Sequence, residues 1–361
     1  MAFITGLMLF DCPASALNMS NDSPDEAGRG EMATAVKFIR SKQGRFPYVS
    51  AQAFRYWLRT TLENSPELKE KWKAAPVFRE QKVAYSDGNP IRYWDDDLFG
   101  YMRAPSKKAD AVKKREDDKT RKNETPTSTE ITRVSPFKVS TLVAISPIPI
   151  TYDFGTMSRH EGDPVPHGHQ FYQAILKGLF SLDLSSAGTF SYRNKTGFKN
   201  LDDNRIEEAK NSKLEDLNND KSFRLPLDKR QERIATLLRG LGVLYGGAKQ
   251  SVHYTDVTPK IFIGMVTRGG NNPLQYIIGA DERGLPKVHE EALKEVFNVW
   301  DDQILSKLYV GWVQGFFDEQ REFLIQVLNK VDHTYELNHP RNILNLIAED
   351  ITSSANGAWL T

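Results

Sequence analysis

Residues 3–10 (FITGLMLF) form a mostly apolar run that reads as a strand placed centrally in a sheet, ending at Asp11-Cys12-Pro13. From 13 to 46 the chain is polar and rich in Asn, Ser and Gly, a long loop that contains one short candidate strand, 35–40 (AVKFIR). Loops of that length within a domain are usually functional or mobile. The pattern changes at 47–63 (PYVSAQAFRYWLRTTLE). Ser50 is a good N-cap, and Phe54, Trp57, Leu58, Thr61 and Leu62 recur at helical spacing as an apolar stripe. Gln52, Arg55 and Arg59 fall on a different face of the same helix. A cationic face beginning at a helix N-terminus suits phosphate. A solvated face with Arg59 paired to Glu63 four residues on is the alternative. Pro66 ends the helix or starts a further turn.

Residues 77–101 hold short aromatic segments, a turn signal at 86–90 and the acidic run Asp95-Asp96-Asp97 after Trp94, which reads as a turn or solvated face. Between 103 and 129 apolar content collapses and lysines crowd, among them Lys107, Lys108, Lys113 and Lys114. That segment is a solvated excursion or a clamp on nucleic-acid backbone. Residues 137–146 (FKVSTLVAIS) predict a strand. The stretch 147–169 has prolines, glycines and no core period, so it reads as a protrusion. Its Tyr152, Phe154 and Met157 are costly to expose without a partner. Residues 171–183 are apolar again, 187–192 a strand, and 196–220 a linker or small helical excursion. Residues 231–245 form a helix on Ile234, Leu237, Leu238, Leu241 and Leu244, closed by Gly246-Gly247-Ala248-Lys249-Gln250. Strands at 260–267 and 274–279 follow, then a helical region over 290–348. The order strand, helix, strand, strand, helix, strand is that of the ferredoxin-like frame, which RNA-recognition domains share, and the fold class is α+β.

Composition adds limits. In 361 residues, 39% are hydrophobic and 26% charged, with a formal net charge of +1. Any nucleic-acid binding must therefore work through local patches. Cys12 is the one cysteine, so no disulfide can form within the chain and a reducing cytoplasm fits. The first sixteen residues lack a basic leader, and no apolar run approaches a membrane span. A soluble cytoplasmic protein that does not bind membranes is expected.

Candidate chemistry is sparse. The segment 242–249 (GVLYGGAK) lacks the Gly-Lys-Ser/Thr of a P-loop and follows a helix instead of preceding one. Gly246-Gly247 caps that helix, lets another chain approach closely, or both. His167 and His169, with His160 nearby, make a weak metal site without cysteine or an evident carboxylate. Asp11, Asp22, Asp25 and Asp95 to Asp97 lie in no cleavage motif. No metal, cofactor or catalytic residue is expected.

Several stretches, in order, carry a resemblance. They are FITGLMLFDCPASALN, PYVSAQAFRYWLR, WDDDLFGYM, FKVSTLVAIS before the long arm, and YGGAKQS before a late strand. Together they resemble the Cascade backbone subunit of type I CRISPR systems, a branch of the RAMP superfamily (Cas family seven), and more closely its DevR-type, I-B-like form. The resemblance implies an RRM-like palm in two parts, 1–75 and 136–285. It also implies a finger insertion at 76–135, a thumb arm at 147–172 and a helical C-terminal region at 286–361. It implies a non-catalytic crRNA-binding subunit that stacks with copies of itself along the RNA, beside other Cascade subunits, and supports pairing with target DNA. Carried onto this chain, the RNA-binding set is Asn18, Arg45, Ser50, Gln52, Arg55, Arg59, Lys249 and Gln250. Tyr152, Phe154 and Met157 become wedge candidates, and the basic part of the finger, with Lys107, Lys108, Lys113 and Lys114, a DNA-backbone contact. Type III relatives cut RNA with an acidic residue in the first-strand loop, where Asp22 and Asp25 stand here. The alternatives are thus a metal-dependent ribonuclease and a DNA-binding autoregulator, the latter without an evident recognition helix.

Overall fold

A computed structural model describes residues 1–20, 33–80, 83–105, 117–158, 161–163, 165–331 and 333–360. It is an α+β fold built on one large sheet. The first strand, Ala2–Ser15, lies between two antiparallel neighbours, Ile261–Arg268 and the 19-residue Val165–Asp183. Leu142–Ala144 pairs on the far side of Val165–Asp183. Numbered by sequence, these four strands lie in the order 4-1-3-2.

Both faces of the first strand are covered, which is why it shows no alternation. Ile4, Met8 and Phe10 pack with Phe54, Trp57 and Leu58 of the first helix (Ala51–Asn64) and with Ile234, Leu237 and Leu241 of a second (Leu227–Gly242). Leu7 and Leu9 face Ile277, Leu293 and Leu324 from the C-terminal part of the chain. Gly6 sits where a Cβ would collide with Ile263 O and the Phe180 ring.

Four expectations change. Residues 137–146 are two short strands, Phe137–Val139 and Leu142–Ala144. They break where the Ser140 hydroxyl accepts from Leu179 N at 2.9 Å, replacing a ladder bond. The protrusion is a regular hairpin, Thr151 opposite Phe171 through Met157 opposite Val165. It shows no apolar period because most of the Thr151–Met157 side chains are exposed. The C-terminal region is not only helical. Leu308–Trp312, apolar and buried throughout, extends the main sheet beside Ile261–Arg268, and Tyr335–Asn338 pairs parallel to it.

The fourth change concerns the acidic run. Trp94–Phe99 is a short helix whose six residues are all buried. Asp97 accepts from Arg133 at 2.5 Å and Arg233 at 2.7 Å. Asp96 accepts from Ser86 Oγ at 2.5 Å and Asn89 N at 2.9 Å, and Asp95 from Ala75 N at 2.7 Å. These carboxylates hold distant segments together instead of facing solvent. Of the two readings of 196–220, a linker or a small helical excursion, the structure has the second: a helix, Asp203–Asn211, whose fully buried Arg205 donates to Gly88 O and Asp87 O. Phe190, Leu201, Ala209, Phe223 and Leu225 form a separate small core with Ile91. Residues 190–225 therefore pack against the segment that carries Asp87, Gly88 and Ile91.

Candidate nucleic-acid interface

Three segments that the sequence singles out meet at one cleft of about 340 Å³. The segment that follows the first strand supplies Leu17, Asn18 and Met19. The first helix supplies Ala53, Tyr56, Trp57 and Thr60, and the glycine loop Tyr245 to Ala248. The Ser50 hydroxyl caps the helix by accepting from Ala53 N at 3.3 Å, and the predicted stripe of Phe54, Trp57, Leu58, Thr61 and Leu62 is its buried face. The loop is tied to both neighbours. Ala248 N donates to Leu17 O at 3.1 Å, Tyr245 N to Thr61 Oγ1 at 3.1 Å, and the Tyr245 hydroxyl to Thr60 O at 3.1 Å.

The cationic residues of the helix lie elsewhere. Arg55 and Arg59 pack over the Phe99 ring, 5.5 and 4.5 Å from its centroid, and Arg55 also donates to Phe99 O. Burial, helped by the like charge of Arg59, pulls the Arg55 guanidinium down to about 10. Burial lowers Arg59 too, against the opposing pull of Asp95, Asp96 and Glu63. Both remain charged at neutral pH. Among the described residues neither forms an ion pair, so the Arg59–Glu63 pair is not made. Gln52 is exposed on the first turn.

The other predicted residues divide by role. Asn18 is nearly buried in the cleft wall, with Nδ2 3.4 Å from Tyr48 O. Arg45 stacks on Phe38 at 5.2 Å. Gln250 spends its side-chain amide on its own loop, accepting from Thr255 N at 2.9 Å and donating to Thr255 O and Gly246 O. Lys249 is exposed at the tip with φ 55°, a left-handed conformation unusual for a residue with a Cβ. Lys107, Lys108, Lys113, Lys114, Asp22, Asp25 and His160 lie outside the described residues.

The arm adjoins this loop through a row of rings. His167 stacks on His169, His169 lies 5.0 Å from His253, and His253 stacks on Phe171 at 4.9 Å. Burial first, then the neighbouring His169, disfavours the charged form of His253. Among the described residues no group of three or more His, Cys, Asp or Glu could hold a metal. On the hairpin, Tyr152 lies across Gly168 and His167 across Gly155, leaving no room for a Cβ at either glycine. Tyr152 is therefore folded back, while Phe154 and Met157 are each 58% exposed.

Sequence reasoning missed Tyr56, Tyr245 and His253. Tyr56 interrupts an otherwise polar face of the helix, and that exposed aromatic was the available signal.

No family model matches the chain and no curated protein matches it. Among solved structures, the chain is similar to one described as "CRISPR RNA-guided surveillance complex", at 11% identity and TM-score 0.50 over 96% of this chain and 98% of that one. It is also similar to one described as "CRISPR RNA-guided surveillance complex, pre-nicking", at 12% identity and TM-score 0.52 over 97% and 100%. At such identities the likeness is one of fold. No helix among the described residues is long and apolar enough to cross a membrane.

Proposed function

We propose that the chain is a non-catalytic, crRNA-binding backbone subunit of a type I CRISPR surveillance complex, of the DevR-type, I-B-like branch. The observation that carries this reading is the meeting of the segment after the first strand, the capped helix and the Gly-Gly-Ala-Lys loop at one cleft beside the hairpin arm. The shared fold supports it. The 4-1-3-2 strand order supports an RRM-like palm, the insertion at 76–135 with its partner 190–225 a finger, and the hairpin a thumb. Copies of the chain stack along the RNA with other subunits, in the cytoplasm. Lys249 meets phosphate, and Arg55 and Arg59, desolvated cations without an ion pair among the described residues, gain from a phosphate at their exposed edge. Phe154 and Met157 are the wedge. Guide and target DNA pair with each other, and the protein holds the backbone without reading sequence.

The test is expression of the full chain with its complex, followed by sequencing of co-purified RNA. A repeat-derived guide is expected. Arg55→Ala with Lys249→Ala should weaken RNA binding and flatten its dependence on salt, since fewer counterions are released. Unaltered affinity and slope would remove those assignments. Ordered, magnesium-dependent cuts in target RNA would instead favour the ribonuclease, and binding of isolated protein to operator duplex the regulator.

A further inference from the structure

The row of rings joins the arm to the glycine loop through His253. His167, His169 and Phe171 occupy alternate positions of the arm strand and so line one face of it. His253 meets that face, 5.0 Å from His169 and stacked on Phe171 at 4.9 Å. Its neighbours Val252 and Tyr254 are exposed, while His253 is half-buried. The backbone beneath it is fixed. His253 N donates to Lys249 O at 2.8 Å, and Thr255 Oγ1 donates to His253 O at 3.2 Å. Thr255 Oγ1 also lies 2.6 Å from Ser15 Oγ at the end of the first strand. The ring that bridges to the arm is thus a titratable one on a firm base.

A neutral ring suits this place and a charged one does not. His253 Nε2 is buried and, among the described residues, has no hydrogen-bond partner. The second N–H of a protonated ring would find no acceptor there. Burial opposes the charge first, then His169, with Lys249 adding to them; the Ala14 carbonyl and Asp153 act the other way. Asp153 is largely exposed and stands opposite His169 in the hairpin, 3.5 Å from its Nε2. Ala33–Val36, paired along the strand's other edge, brings no titratable side chain. We propose that His253 is an acid-sensitive latch, whose neutral ring fixes the base of the arm to the glycine loop and whose protonation frees it. The latch needs no RNA, so it stands or falls apart from the functional reading.

The experiment is hydrogen exchange of the full chain, without RNA, between pH 7.5 and 5.5, each rate normalised to that of unstructured chain at the same pH. A contact that accepts only neutral imidazole weakens about tenfold for each pH unit below the free value of about 6.5. Protection of the Thr151–Met157 amides should therefore fall by up to about tenfold by pH 5.5, while that of Ile261–Arg268 in the main sheet does not fall. His253→Phe keeps a ring against the arm and should hold the arm's protection level across the range. His253→Ala should lower it at every pH. Wild-type arm protection that stays level from pH 7.5 to 5.5 would overturn the latch, and that measurement needs no variant to fold. An equal fall in His253→Phe would overturn it too, by placing the titration on His167 or His169. So would a fall shared equally by Ile261–Arg268, which would mark loosening of the whole fold instead of the arm.

Discussion

Gly246 is seated against Trp57 so closely that a Cβ added there would lie 2.5 Å from the indole Cγ. With φ 152°, its backbone is also in a region that other residues rarely adopt. This contact sets the distance between the glycine loop and the first helix. Gly246→Ala should therefore cost about 1–3 kcal/mol in chemical denaturation and weaken RNA binding by displacing Lys249. Trp57→Ala removes the Cγ and Cδ1 that the added Cβ would meet, so in that background Gly246→Ala should weaken RNA binding by a smaller factor, a coupling that two independent lesions would not show.

Lys249 separates backbone strain from charge. Its left-handed conformation costs a non-glycine residue roughly 1 kcal/mol or more, so Lys249→Gly should raise stability while removing the ammonium. The expected pair of results is a higher melting temperature and a salt slope for RNA binding shallower by about 0.7, the share of one phosphate on a single strand. An unchanged slope would mean that Lys249 meets no phosphate.

Asp96 makes stability depend on pH. Burial first, then the neighbouring Asp95 charge, raises its carboxyl from 3.8 to about 7. The folded state thus binds the proton more tightly than the unfolded one. Its contribution is fully present below pH ~4 and lost as pH rises through about 7. Asp96→Asn removes the charge; its one amide oxygen can still accept from Asn89 N, while its NH2 takes the place of the oxygen facing Ser86 and donates to that hydroxyl instead. Its stability relative to wild type should improve between pH 4.5 and 7.5, read from urea midpoints at each pH. A constant difference across that range would place the titration elsewhere.

Asp97, unlike Asp96, is shared between two arginines. It joins Arg133 and Arg233 at the packing of the Trp94–Phe99 helix on Leu227–Gly242. Asp97→Ala leaves two buried guanidinium groups without their shared partner and should cost about 3–5 kcal/mol. The loss should appear as a large fall in melting temperature or in yield of folded protein.

These residues also show what can be read before folding. The buried face of Ala51–Asn64 was legible because its five apolar positions are local and periodic. The burial of Asp95 to Asp97 was not, because Arg133 and Arg233 lie 36 and 136 residues from Asp97 along the chain. A five-residue apolar run such as Leu308–Trp312 gives no period by which to tell strand from helix. The side of the first helix was half legible. Arg55 and Arg59 do share a face, but nothing local revealed that it would close on Phe99, or that Tyr56 would face the cleft with Tyr245.

Phe154 and Met157 are the projecting apolar residues of the arm's Thr151–Met157 strand once Tyr152 is folded onto Gly168. Replacing both with alanine removes exposed side chains and should alter stability by no more than about 0.5 kcal/mol. If they wedge between bases and engage the neighbouring copy, the double variant should still bind short RNA as a single copy. It should fail to form regular multi-copy assemblies on long guides, as seen by sedimentation. Tyr152→Ala tests the other role. Its ring covers a glycine in the partner strand, a known way of firming a hairpin, so its loss should raise hydrogen exchange along the arm. Normal assembly in the Phe154→Ala, Met157→Ala chain would take the wedge from these two residues and return it to Tyr152.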